Sequence, residues 1–100
     1  MPGSMRRPRL TQRYLRALSR LRLGPGTVRG KAVARTVRLL SEARDLPGPA
    51  DTTAAIPPVE KATVRRVVGH NVWVWYRVAG DEIVLVTLTT EPPVPILEDE

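Results

Sequence analysis

Val64-Arg65-Arg66-Val67-Val68-Gly69-His70-Asn71-Val72-Trp73-Val74-Trp75-Tyr76-Arg77-Val78, with Gly80-Asp81-Glu82-Ile83-Val84-Leu85-Val86 close behind, is the stretch on which the reading of this 100-residue chain turns. β-Branched and aromatic residues dominate it, and its two breaks, Gly69-His70-Asn71 and Ala79-Gly80-Asp81, have turn composition. The spacing predicts strands at 62–68, 72–78 and 83–90 joined as an antiparallel meander. Successive strand side chains alternate between faces. Val72, Val74, Tyr76 and Val78 therefore share one side of the second strand, and Trp73, Trp75 and Arg77 the other. In the third strand Ile83, Leu85 and Thr87 oppose Val84, Val86 and Leu88, so both faces are apolar.

On the N-terminal side, Asp45 to Pro58 reads as a linker, with Pro47-Gly48-Pro49 and Pro57-Pro58 bracketing small polar residues. Before it, Val33, Val37 and Leu40 recur at helical spacing, predicting a helix from about Thr27 to Ala43. An earlier helix begins at Thr11, whose hydroxyl can cap the first turn, with Leu10 and Leu15 placed as a hydrophobic staple. Tyr14, Leu15, Leu18 and Leu21 form its apolar stripe, and Gly24-Pro25-Gly26 ends it. A connector this short predicts an antiparallel helix hairpin.

The expected fold class is thus α+β: an N-terminal antiparallel helix hairpin packed on a C-terminal antiparallel β-meander of three to four strands. Residues 1–9 are expected as a disordered basic start, with a candidate short first strand at 6–10. Residues 10–96 then form a single domain. Glu91 to Pro95 reads as a polyproline-like segment, and 97–100 as an acidic tail.

Composition narrows the function classes. There is no cysteine, so no disulfide or thiolate metal site is expected, and no metal or cofactor is implied. No apolar run approaches the roughly 20 residues that span a bilayer, and the basic start lacks a secretory apolar core, so no membrane and a cytoplasmic location are expected. Charge is uneven: residues 1–50 carry twelve bases against two acids, +10, and residues 51–100 carry four against eight, −4, giving the net +6. Such asymmetry points to an acidic or polyanionic partner for the first half, met by Arg13, Arg16, Arg20, Arg35 and Arg38.

Candidates for chemistry are few. His70 fits a solvated turn residue, and Asp81-Glu82 fits turn acids better than a catalytic pair. Trp73 and Trp75, on one sheet face, suit a core or partner interface, with base stacking beside Arg77 as the alternative. Arg65 and Arg66 are adjacent and point to opposite faces. One of them, with Arg77, would suit a phosphate-binding patch.

The 64–86 block resembles the end of RelE/ParE-type toxins, in which a basic strand, a short turn, an aromatic strand ending in Tyr-Arg-Val, a Gly-Asp turn and an apolar strand follow two helices. The resemblance implies a toxin of a type II toxin–antitoxin pair, neutralised by a cognate antitoxin that wraps it. RelE-like members cut mRNA on the ribosome, and Arg65 and Tyr76, with Arg66 and Arg77, are the residues such a nuclease would use here. However, Trp73 stands where those nucleases often place Arg, and Thr89 to Pro95 offers no Arg, Tyr or His for acid catalysis. The pattern leans to the ParE-like branch, whose members act on DNA gyrase and do not need those groups, or to an inactive relative, so the leading expectation is action by binding and not as an enzyme. A RelE-type endoribonuclease and a small basic nucleic-acid-binding module are the alternatives.

Overall fold

The computed structural model describes residues 5–56 and 60–93. The elements run β1 (Arg7–Leu10), α1 (Gln12–Arg20), α2 (Val28–Glu42), β2 (Asp51–Ile56), β3 (Glu60–Arg66), β4 (Trp73–Ala79) and β5 (Glu82–Thr89). They build one five-stranded mixed sheet in the order β1-β5-β4-β3-β2. β1 lies parallel to β5, Arg7 opposite Glu82 and Leu10 opposite Leu85, and the remaining pairs are antiparallel.

This corrects the expected helix hairpin on a three- to four-stranded antiparallel meander. Two strands extend the sheet at its edges, and one is parallel. β1 falls within the candidate first strand at 6–10, although Arg-Pro-Arg-Leu has no apolar alternation. Its backbone is held nonetheless, by Arg7 N–H to the Asp81 carbonyl (2.9 Å) and Thr11 N–H to the Leu85 carbonyl (3.3 Å). β2 occupies the expected linker, where Asp51-Thr52-Thr53-Ala54-Ala55-Ile56 pairs with β3 from Asp51–Arg65 to Ile56–Glu60. Its Ala54 is fully buried. Small side chains made this strand look like a loop, yet small is what fits beneath Trp75, its neighbour in the same apolar cluster.

The helices also depart from the expected hairpin. α1 lies along β5, and α2 reaches β1, β4 and β5. Each is seated on the sheet more than on the other helix. Thr11 caps α1 as its sequence suggests, accepting the Tyr14 N–H at 3.1 Å, and Thr27 caps α2 through the Gly30 N–H at 2.9 Å. α1 stops before Gly24-Pro25-Gly26. Leu23 N–H bonds the Leu18 carbonyl (2.9 Å) and Arg22 N–H the Ser19 carbonyl (3.2 Å), a Schellman closure in which Arg22 takes the left-handed conformation (φ 56°). The chain then returns so closely that a Cβ on Gly30 would lie 1.8 Å from the Gly24 carbonyl oxygen. Only glycine permits that approach.

Two apolar clusters sandwich the sheet. The larger, under the helices, joins Tyr14, Ala17, Leu23, Val33 and Leu40 to Val72, Val74, Tyr76, Ile83, Leu85 and Leu88. The smaller, on the opposite face, gathers Ala54, Ala62, Val64, Trp75 and Val86, with Trp73 against it. β4 alternates as expected. β5 does not: Trp75 pairs with Thr87 but Tyr76 with Leu85, so a bulge falls at Val86 and Leu88 turns to the helix side. Of the expected α1 stripe, Leu15 is turned outward and Leu10 is likewise exposed, while Ala17 takes a buried place. Met1 to Ser4, Pro57-Pro58, part of the proline-rich segment (94 and 95) and the 97–100 tail lie outside the described residues.

Candidate functional site

The two sheet faces separate the residues that sequence had grouped. Arg65 and Tyr76 lie on the helix side and converge on Asp51, whose side chain has no solvent exposure. Arg65 holds its carboxylate as a fork, Nε to Oδ1 at 2.5 Å and Nη2 to Oδ2 at 2.9 Å. The Tyr76 hydroxyl donates to Oδ2 at 2.6 Å and the Gly48 N–H at 2.7 Å. Burial alone would push the Asp51 carboxyl up, but these donors and the Arg65 charge outweigh it and hold the acid below the usual carboxylate range. Burial and then the Asp51 bond push the Tyr76 phenol above its usual value. The Asp51 bond likewise raises Arg65. The cluster is a satisfied buried ion pair that ties the 46–50 turn to β3 and β4. Asp51 was missed at the sequence level because a lone acid after Pro-Ala looks like a loop residue.

Arg66 and Arg77 point to the other face and do not join this cluster. Arg66 donates to the His70 carbonyl (3.1 Å) and to Asn71 Oδ1 (3.2 Å), and its guanidinium stands 5.8 Å from the Trp73 ring centroid. Arg77 donates to the Lys61 carbonyl through Nε and Nη2. The four residues named for a nuclease are thus split two and two. Trp75 is buried and donates its indole N–H to Thr89 Oγ1 at 2.9 Å, which is the core role, while Trp73 is half-buried. Asp81 and Glu82 face Arg7 and Arg9 at 3.5 and 3.1 Å, so the turn acids pin β1 to β5.

The feature with the form of a binding site is a groove of about 350 Å³ between α1, α2 and β1. Its walls are apolar: Leu10 from β1, Tyr14, Leu18 and Leu23 from the first helix and its cap, and Val33, Ala34 and Val37 from α2. It exists because the helices sit apart on the sheet and the Gly24–Gly30 contact closes one end. Burial pushes the Tyr14 phenol in its floor up to about 12, so this ring is neutral at any physiological pH. Leu18, Leu23 and Pro25 continue the apolar surface over half-exposed Leu15 to Arg22. Ala34 and Pro25 continue it to Lys31, Arg35 and Arg38. The rim is therefore basic. Arg35 and Arg38, named from sequence, stand on this rim, Arg38 also bonding Glu42 at 3.3 Å. Arg13, Arg16 and Arg20 are exposed on α1 but do not line the groove, and Arg20 borders a separate cavity with Trp75, Thr89 and Pro92.

No group of acids or histidines that could hold a metal occurs among the described residues. No helix among them is long and apolar enough to cross a membrane. Neither a protein-family model, nor a curated protein, nor a solved structure matches the chain.

Proposed function

We propose that this protein works by docking: it is the toxin component of a type II toxin–antitoxin pair, ParE-like in acting on its target by binding, with DNA gyrase as the candidate target. In this reading the groove takes an amphipathic helix from an acidic antitoxin. The observation that carries it is the groove itself, apolar inside, with adjoining surface depressions that carry Arg22 on one side and Lys31, Arg35 and Arg38 on another. An amphipathic helix with acidic flanks complements such a surface in both respects. The basic first half against a mildly acidic second half agrees with an acidic partner on the helix side.

The ribonuclease alternative has less support. Its two best residues already commit Arg65 Nε and Nη2 and the Tyr76 hydroxyl to Asp51. A nucleic-acid-binding module draws support from the exposed bases of α1, and a binding constant that falls steeply with salt is its mark.

Induced expression with and without the product of the neighbouring gene tests the proposal. Growth arrest relieved by that product is expected. Ala34→Glu places an acid on the exposed wall of the groove and is expected to leave arrest intact while abolishing relief. Normal growth on expression would overturn the toxin reading, and relief undiminished by Ala34→Glu would remove the groove from it.

A further inference from the structure

The two edges of the sheet are built differently. β1 carries Arg7, Pro8 and Arg9, the charges and proline that discourage further strand pairing. β2 carries only Asp51-Thr52-Thr53-Ala54-Ala55-Ile56, and its single acid is consumed by Arg65. Thr52, Thr53 and Ala55 are exposed, and the sheet ends at β2 among the described residues. Six residues without a guarding charge, proline or bulge form an open template.

The hydrogen-bond register shows which groups that template offers. The Val67 N–H bonds the Val72 carbonyl at 2.8 Å, so odd-numbered β3 residues direct their backbone groups to β4 and even-numbered ones to β2. Val64 and Ala62 pair with Thr52 and Ala54. Asp51, Thr53 and Ala55 must then face outward. The Asp51 N–H agrees, because it bonds the Gly48 carbonyl at 3.0 Å instead of β3. The complete outward pairs are those of Thr53 and Ala55, symmetric about Ala54.

We propose that β2 is a self-pairing edge: two copies join antiparallel about Ala54, Thr53 opposite Ala55 of the second copy, to make one continuous ten-stranded sheet. A two-fold axis at Ala54 pairs the outward N–H and carbonyl groups of Thr53 and Ala55 in both copies. Centring on Thr53 would satisfy the same N–H groups through the Asp51 carbonyl and leave the Ala55 carbonyl open, where centring on Ala54 leaves that of Asp51. Ala54 meeting its own copy introduces no bulk. Charge favours the same arrangement. β2 is the edge farthest from β1, and the helices sit over β1, β5 and β4, so the two +10 halves stay apart while uncharged strands meet. The proposal is independent of the toxin reading, since it concerns the opposite edge from the groove.

The test is sedimentation of the full chain from about 10 µM to about 1 mM, a range suited to a small interface, together with a positional crosslink. A 22 kDa species, twice the 11.1 kDa chain, is expected at the upper end. Ala55→Pro removes an outward N–H and no β2–β3 bond, and Thr53→Lys adds an edge charge. Each is expected to weaken association at least tenfold, with circular dichroism and melting confirming the fold. Because the chain has no cysteine, Ala54→Cys reports register: residues on a two-fold non-hydrogen-bonded pair lie within disulfide reach. Mild oxidation is expected to crosslink Ala54→Cys and not Thr52→Cys. A monomer across the whole range, or a dimer that ignores these edge variants or fails to crosslink at 54, would overturn the proposal.

Discussion

Tyr76 reaches across 25 residues of sequence to place its hydroxyl 2.6 Å from Oδ2 of Asp51, joining the centre of β4 to the first residue of β2. That bond and the Arg65 fork add a side-chain anchor to the β2–β3 ladder that holds the outermost strand on the sheet. Removing the acid strands a half-buried guanidinium and a buried phenol without their acceptor. Asp51→Ala is expected to cost about 3–5 kcal/mol in urea unfolding, and Tyr76→Phe about 1.5–3 kcal/mol. Near-equal stability of Asp51→Ala and the parent would show that the cluster is incidental.

The same acid sets an acid limb of stability. Its folded pKa is depressed, so the unfolded state binds its proton first as pH falls. The contribution is full above the ordinary carboxylate value of about 3.9 and is lost as pH drops through the lower folded value. Melting temperatures of the parent and of Asp51→Asn, measured from pH 7 downward, are expected to converge in strong acid. A constant gap at every pH would contradict this.

Arg22 holds a left-handed backbone that a side chain resists. Arg22→Gly relieves that strain and loosens the unfolded chain, leaving an expected net gain of about 0.5–1 kcal/mol. Arg22→Val should lose stability instead. Thermal melts of the pair decide it.

Gly30 shows the opposite sensitivity. Alanine is the better helix former, yet its methyl would meet the Gly24 and Leu23 carbonyls, both backbone atoms. Gly30→Ala is expected to destabilise by about 1–3 kcal/mol and to spread the groove. A stabilised Gly30→Ala would mean that the helix entry is easily displaced.

Much of the sheet centre is legible in the sequence because its residues obey one period at a time. Trp73 and Trp75 on one side, Val72, Val74 and Tyr76 on the other, follow from alternation alone. The edges are less legible. Arg7–Leu10 falls within the candidate first strand at 6–10, but backbone bonds to β5 rather than a side-chain pattern hold it there. Asp51–Ile56 becomes one because Ala54 fits under Trp75 and Asp51 meets Arg65, partners that lie far along the chain. The groove escapes for a related reason: Leu18, Val33 and Val37 read as core positions, and nothing in their spacing says that the helices stand apart. The basic residues were visible, but which of them adjoin the groove depends on how α1 is rotated on β5. That rotation leaves Arg13, Arg16 and Arg20 outside it.

The bulge at Val86 lets Leu85 and Leu88, three apart, fill places on the helix side that a regular strand would give to residues two apart. The Thr11 hydroxyl bonds the Leu85 carbonyl at 2.8 Å and lies 3.0 Å from that of Val86, anchoring the start of α1 to this irregular point. β5 thus behaves as a strand carrying a one-residue insertion. A chain shortened by that residue would keep Leu85, Thr87 and Leu88 on their present faces, so sequence length can drift there without exchanging the two cores.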